Sequence, residues 1–296
     1  MSTRRTTRRP RRLLEVAIAL LALAAAACSG SSPGPGGAAT TSGPTSAAAS
    51  ATPSEDSSGG VVLLVHGFAT TAAGYSCAAY WGALEGAFRR WAPNLRTVTV
   101  GYESGDHDCD AIIGSDDPNT PIEDLGGQLA SYVETTYSSK GEPVLMVGHS
   151  MGGLVVRAAL ARAGDRLLVP RAVTMSSPHA GTPDARVCPQ ILQCREQVPG
   201  SVFLSKLAPS PQGRGGTAWT VFGGAGDRLV PAASAVDMTG ARRIVFERPA
   251  YDHVTILLDG SDAQNAVWQV HTGDGTVTRR DQPHSLRAVF LALTGS

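Results

Sequence analysis

The run Val61-Val62-Leu63-Leu64-Val65 offers no polar face, so it predicts a strand buried on both sides rather than one edge of a solvated sheet. Leu95 to Val100 predicts the next strand, and Ala78 to Arg90 between them suits a helix. Behind Pro121, the residues Ile122, Leu125, Leu129, Val133 and Tyr137 recur at helical spacing. Pro143 to Val147 then predicts a third strand, Met151 to Ala163 a helix and Arg171 to Met175 a fourth strand. Ala218 to Phe222 and Arg242 to Phe246 supply a fifth and sixth, and Ser285 to Leu293 a closing helix. Strands that alternate with helices predict an α/β architecture: a mostly parallel sheet of about six strands with helices on both faces. Pro183 to Gly216 follows neither period, and its place after the fourth strand marks it as a small lid or cap insertion.

Before Val61 the pattern is different. Six arginines between Arg4 and Arg12 precede the apolar run Leu13 to Ala27, which only Glu15 interrupts. A charged start and a short apolar stretch ending in small residues predict an export signal over residues 1–27, since a membrane-spanning helix needs ~20 apolar residues. The arginine pairs leave the general and the twin-arginine export routes both open. The run closes on Ala25-Ala26-Ala27-Cys28-Ser29-Gly30, which resembles a lipobox, and Cys28 is the expected lipidation site; cleavage at an ordinary small-residue site is the alternative. From Ser29 to Gly60, 30 of 32 residues are Ala, Gly, Pro, Ser or Thr. Such a segment cannot bury enough surface to offset its ordering entropy, so residues 28–60 are expected to form a disordered tether reaching roughly 30 Å. The folded domain is then 61–296.

Composition sharpens this division. The chain of 296 residues has 25 basic and 25 acidic side chains, but residues 28–296 carry 19 basic against 24 acidic, so the neutral total hides an acidic body. That body lacks the basic stripe of a nucleic-acid-binding protein, and no nucleic-acid partner is expected. With Cys28 lipidated, four of the five cysteines remain, an even number suited to disulfides in an oxidising compartment.

The chemistry centres on Gly148-His149-Ser150-Met151-Gly152-Gly153. The pattern G-x-S-x-G is common by chance in so glycine-rich a chain, and Gly30-Ser31-Ser32-Pro33-Gly34 in the tether matches it too. Only Ser150 has a strand before it and a helix after it, the strand-turn-helix context in which a serine is held exposed at a strained turn, with Gly148 and Gly152 where side chains would collide. A serine hydroxyl needs a base, and the base needs an orienting carboxylate. Asp227 follows the fifth strand in Gly226-Asp227-Arg228-Leu229-Val230-Pro231, and His253 follows the sixth in Tyr251-Asp252-His253. His271 and His284 compete for the base, whereas Asp252 and Asp259 lie too near His253 for a separate loop. His66 and His149 read as structural neighbours of the site, His179 as shaping the loop after the fourth strand and His107 as a surface residue. An oxyanion could be met by the main-chain N–H groups of Met151, after the nucleophile, and of Phe68, in the loop opening His66-Gly67-Phe68.

His66-Gly67-Phe68, the serine motif, Pro178-His179-Ala180-Gly181-Thr182, Gly226-Asp227 to Val230-Pro231 and His253 together resemble the successive landmarks of α/β-hydrolase lipases and esterases. They are most similar to the secreted triacylglycerol lipase-like proteins of actinobacteria, where a cysteine-containing loop follows the Pro-His-x-Gly-Thr motif. The resemblance implies the α/β-hydrolase fold, Ser150 as nucleophile, His253 as base, Asp227 as orienting acid, and Phe68 and Met151 as oxyanion donors. It departs in having little room for strands before Val61, and Thr255 to Arg280 does not align. Of three possible connectivities, proximity pairs Cys188 with Cys194 on the lid and Cys77 with Cys109. No cysteine pair has the C-x2-C spacing of a zinc site, and neither a metal nor a cofactor is expected.

The sequence therefore reads as an exported, lipid-anchored serine hydrolase cleaving acyl or lipid esters. Phe203, Leu204 and Leu207 on the cap, with Phe68, are expected to line an apolar substrate pocket, with a core role as the alternative. On the same fold, a cutinase or polyesterase, a thioesterase or an acyltransferase would carry the same motif; a non-catalytic envelope lipoprotein is the reading from a different class.

Overall fold

The computed structural model describes residues 60–69 and 74–295. The expected export signal, Cys28 and the tether up to Ser58 and Gly59 lie outside the described residues. Strand β1 (Val61–Val65) is buried from Val62 onward because it has a parallel neighbour on each side: β2 (Arg96–Glu103) and β4 (Val144–His149). Alternate side chains of β1 enter two separate cores. Leu63 and Val65 pack under the helices α2 (Ile122–Thr136) and α3 (Met151–Ala163), while Val62 and Leu64 meet α1 (Cys77–Trp91) and α7 (Ser285–Thr294). A strand with no polar face is what this two-sided burial requires.

The sheet has nine strands, not about six, in the order β3-β2-β1-β4-β5-β6-β7-β8-β9. Strands β5 (Arg171–Met175), β6 (Ala218–Gly224) and β7 (Arg242–Arg248) continue the parallel run expected from their apolar patterns, with the short helix α6 (Ala232–Ala235) between β6 and β7. The additional strands sit at the margins. β3 (Ala111–Asp116) is a half-exposed edge parallel to β2. β8 (Ala266–Thr272) and β9 (Gly275–Gln282) form an antiparallel hairpin on β7, filling the region that could not be aligned. Every residue of β9 except Gln282 is exposed, so no buried face disciplines its sequence into a recognisable pattern. The Gly273-Asp274 pair between two short runs is the hairpin signal that could have revealed it.

The chain runs outward from β1 to β2 and β3, then returns to β4 on the other side of β1. That reversal opens a crevice at the carboxyl ends of β1 and β4, the usual ligand position in an open α/β sheet.

The insertion after β5 contains a 3-10 turn (Pro183–Val187) and two short helices, α4 (Leu192–Glu196) and α5 (Val202–Lys206). It is fastened at several points. The Cys188–Cys194 disulfide staples it, Glu196 accepts the Ile122 amide at 2.8 Å, and the buried Arg157 of α3 donates to the carbonyls of Ala208 and Leu207 at 2.8 and 3.3 Å. A second disulfide joins Cys77 to Cys109. Two disulfides fit an exported protein. Among the described residues no helix is long and apolar enough to cross a membrane.

Candidate active site

Ser150 occupies the turn between β4 and α3 with φ 53° and ψ −130°, a conformation sparsely populated by residues other than glycine. The turn is this tight because α3 starts almost against β1. A Cβ on Gly152 would lie 2.2 Å from the carbonyl oxygens of Val65 and His66, so no larger residue fits there. The loop after β1 approaches equally closely: a Cβ on Gly67 would stand 2.8 Å from Ser150 Cβ and 3.3 Å from Oγ.

The loops after β4, β6 and β7 meet at this turn. His253 Nε2 is 3.0 Å from Ser150 Oγ, and His253 Nδ1 is 2.9 Å from Asp227 Oδ2. The other Asp227 oxygen accepts the amides of Leu229 and Val230, both at 2.9 Å, which fixes the carboxylate in its buried loop. A carboxylate can only accept, so His253 presents its Nδ1–H to Asp227 and its Nε2 lone pair to the serine. The two competing histidines are elsewhere: His284 is held by Asp259 and Asn265, each at 2.6 Å, and the half-buried His271 pairs with Thr276 in the hairpin. Asp252 caps the turn containing Val254 and Thr255.

The His66 to Ala69 loop is gripped from behind by side chains. Tyr102 Oη donates to the His66 carbonyl at 2.7 Å, His66 Nδ1 lies 2.8 Å from the Gly67 carbonyl, and Tyr75 Oη donates to the Phe68 carbonyl at 3.0 Å. The Gly67 amide donates to Tyr80 Oη at 3.1 Å and the Ala69 amide to Glu103 Oε2 at 2.7 Å. Of the three amides from Gly67 to Ala69, only that of Phe68 forms no hydrogen bond among the described residues. The Met151 amide is likewise unpaired, being the first of the orphan donors at the start of α3. Two free donors thus flank the serine, one from each side of the β1/β4 crevice.

Behind the loop lies a polar group that sequence patterning did not single out: the buried Tyr80, Tyr102 and Glu103, the buried carboxyl group of Asp106 and the half-buried Tyr75. Asp106 accepts the amides of Tyr75, Tyr102 and Glu103 and faces His66 Nε2 at 2.8 Å. Burial opposes its ionisation, but the bond from His66 and the amide bonds outweigh this and hold its carboxyl below the usual range. Burial pushes Glu103 the other way, up to about 8, with Asp106 adding to the effect and the Ala69 bond opposing it. His149, the variable residue of the serine motif, is held well below the ordinary histidine range by burial and by neighbouring His253. The signal that could have found this group is the polar Tyr102-Glu103 pair at the end of an otherwise buried strand, beside the crevice.

Phe68, Phe203, Leu204 and Leu207 are half-buried against the core under α2 and α3. Phe203 and Leu207 also line a depression with Ala158, Ala161 and Arg162, more than two helical turns beyond Ser150, or roughly 12 Å along α3. Among the described residues no cluster of three or more His, Cys, Asp or Glu side chains could hold a metal ion.

No curated protein matches the chain. Solved structures with a similar fold include the mature form of the Bacillus licheniformis lipase BlEst2 (17% identity, 70% of this chain and 90% of that one, TM-score 0.47). The 2-hydroxy-6-oxo-6-phenylhexa-2,4-dienoate hydrolase of Rhodococcus sp. strain RHA1 is similar at 20% identity (68% and 86%, TM-score 0.43). Phospholipase PlaB of Legionella pneumophila is similar at 15% identity over 59% of this chain (TM-score 0.43), and the chain spans only 44% of that protein's length. These likenesses are too distant to assign an activity. A sequence model described as the alpha/beta hydrolase family, however, matches residues 62–289. That match begins in β1, ends in α7 and takes in Ser150, Asp227 and His253 on the way, so the chain belongs to the alpha/beta hydrolase family.

Proposed function

We propose that this hydrolase cleaves carboxylic esters by way of an acyl-enzyme formed on Ser150. The observation that carries the reading is the unbroken hydrogen-bonded line from Ser150 Oγ through His253 to Asp227, set beside the two unpaired amides of Phe68 and Met151. His253 Nε2 takes the proton as Oγ attacks the ester carbonyl, and Asp227 holds the ring and balances the imidazolium. The developing oxyanion is met by the two amides, with the N-terminal end of α3 adding its dipole. Collapse breaks the bond to the alcohol, which leaves with the proton from His253; water then repeats the sequence on the acyl-enzyme. The half-buried Phe68, next in the chain to the Gly67 that stands against Ser150, favours an apolar acyl group, hence acyl or lipid esters. The export signal and Cys28 support placement of the enzyme outside the cell membrane on a lipid anchor, in keeping with the disulfides.

Ser150→Ala should abolish hydrolysis of p-nitrophenyl acyl esters, a loss on the order of 10⁴-fold or more, while the protein stays folded. Wild-type turnover in that variant would refute the mechanism. A fluorophosphonate should label Ser150, as peptide mapping would reveal; a fully unreactive serine would instead support a non-catalytic envelope protein. Thioesters and competing alcohols in the same assay separate a thioesterase or acyltransferase from an esterase.

A further inference from the structure

The nucleophile, base and oxyanion loops follow β4, β7 and β1, and β7 is separated from both other strands by β5 and β6. Strand pairing alone therefore does not fix the base loop against the oxyanion loop. A chain of hydrogen bonds does so directly. The Gly67 amide donates to Tyr80 Oη at 3.1 Å, Tyr80 Oη meets His149 Nδ1, and His149 Nε2 lies 2.8 Å from the carbonyl oxygen of His253. Building on the serine-hydrolase reading above, we propose that Tyr80 and His149 are positioning residues: a bridge that locks the loop bearing the oxyanion donor to the loop bearing the base.

The direction of each bond follows from what its ends can do. An amide only donates, so the Tyr80 oxygen accepts from Gly67 and uses its own proton toward His149 Nδ1. A carbonyl only accepts, so His149 Nε2 carries the ring proton. His149 is thereby fixed as the neutral Nε2–H tautomer, and its burial, with only 3% of its surface exposed, disfavours a second proton. Neutrality matters because its ring centroid is 4.8 Å from that of His253. A positive charge there would oppose the imidazolium that His253 must become. Because His149 is also bonded covalently to Ser150, one residue touches the nucleophile, the base loop and, through Tyr80, the oxyanion loop.

Tyr80→Phe keeps the ring and removes the link. It should lower kcat by about 10- to 100-fold and leave KM within about twofold, since misplacement falls on the transition state rather than on substrate binding. His149→Leu should behave alike, and His149→Gln, whose amide can still donate toward the His253 carbonyl, should recover part of the loss. The rate of fluorophosphonate labelling should fall in parallel. Wild-type kcat in both Tyr80→Phe and His149→Leu would overturn the bridge while leaving the mechanism intact, provided Ser150→Ala is inactive; an active Ser150→Ala would instead overturn the underlying reading. Should the variants fail to fold, the wild-type protein decides: two-bond 1H–15N correlations of His149 should show a bare Nδ1 and a protonated Nε2 from pH 5 to 8. A protonated Nδ1 in that range would overturn the proposal.

Discussion

Glu103 is a carboxyl group set where ionisation is unfavourable. Its Oε2 accepts the Ala69 amide, its Oε1 has no partner among the described residues, and Tyr75, Tyr80, Tyr102 and Asp106 surround it. With its pKa raised by burial from the ordinary 4.5 to about 8, the folded chain holds a proton here that the unfolded chain releases. The associated stability is fully present below about 4.5, declines as pH climbs through the interval, and is lost above about 8. Glu103→Gln, a neutral side chain that can accept the same amide, should remove this decline. By calorimetry the two proteins should melt together near pH 4 and diverge by pH 9, the glutamine form being more stable by on the order of a few kcal/mol. A gap independent of pH would refute the assignment. Ser150, Asp227 and His253 were legible in the sequence because each stands at the end of a patterned strand and its chemistry demands that residue type. Tyr80 was not, since it sits on the buried stripe of α1, where periodicity reports that a side chain is inside but not what its hydroxyl touches.

At the scale of elements, the strands that read clearly are those with buried runs. β1, β4 and β5 need apolar residues on both faces, whereas β3 and β9 satisfy their backbones at the margin with side chains turned to water. The N-terminus of α1 is likewise held by more than its own sequence. Cys77 is bonded to Cys109, its amide donates to the His107 carbonyl at 2.9 Å, and Ser76 caps the helix by accepting the Ala79 amide. Tyr80 lies one turn further on. In the chain-entropy picture the 32-residue separation of Cys77 and Cys109 contributes ~3–4 kcal/mol, and the six-residue separation of Cys188 and Cys194 ~2 kcal/mol. Replacing Cys77 and Cys109 by serine should therefore lower the denaturant midpoint more than replacing the cap pair, and should also depress kcat by loosening Tyr80. The reverse ranking would show that strain or residual unfolded structure dominates.

For the whole molecule, the reversal of strand order between β1 and β4 places the unpaired Phe68 and Met151 amides and Ser150 at one crevice, and the long parallel run carries Asp227 and His253 to the same edge. The alternation of strands and helices sufficed to anticipate a mostly parallel sheet, but neither its strand order nor its width. The proposed lipid anchor is tested on the intact chain: Cys28→Ala should move the protein from the membrane fraction to the soluble exported fraction with the proposed esterase activity unchanged, and continued membrane retention would exclude the cysteine as the anchor. The opposite edge of the sheet offers a practical use. β8 runs antiparallel to β7, with His271 opposite Arg243, so the Gly273-Asp274 turn projects beside the start of β7, away from the loops that carry Ser150, Asp227 and His253. Both turn residues are exposed, and a Cβ on Gly273 would meet nothing within 4 Å. A coupling tag inserted there would fasten the protein to a bead or electrode with the edge that bears Ser150 facing the solution.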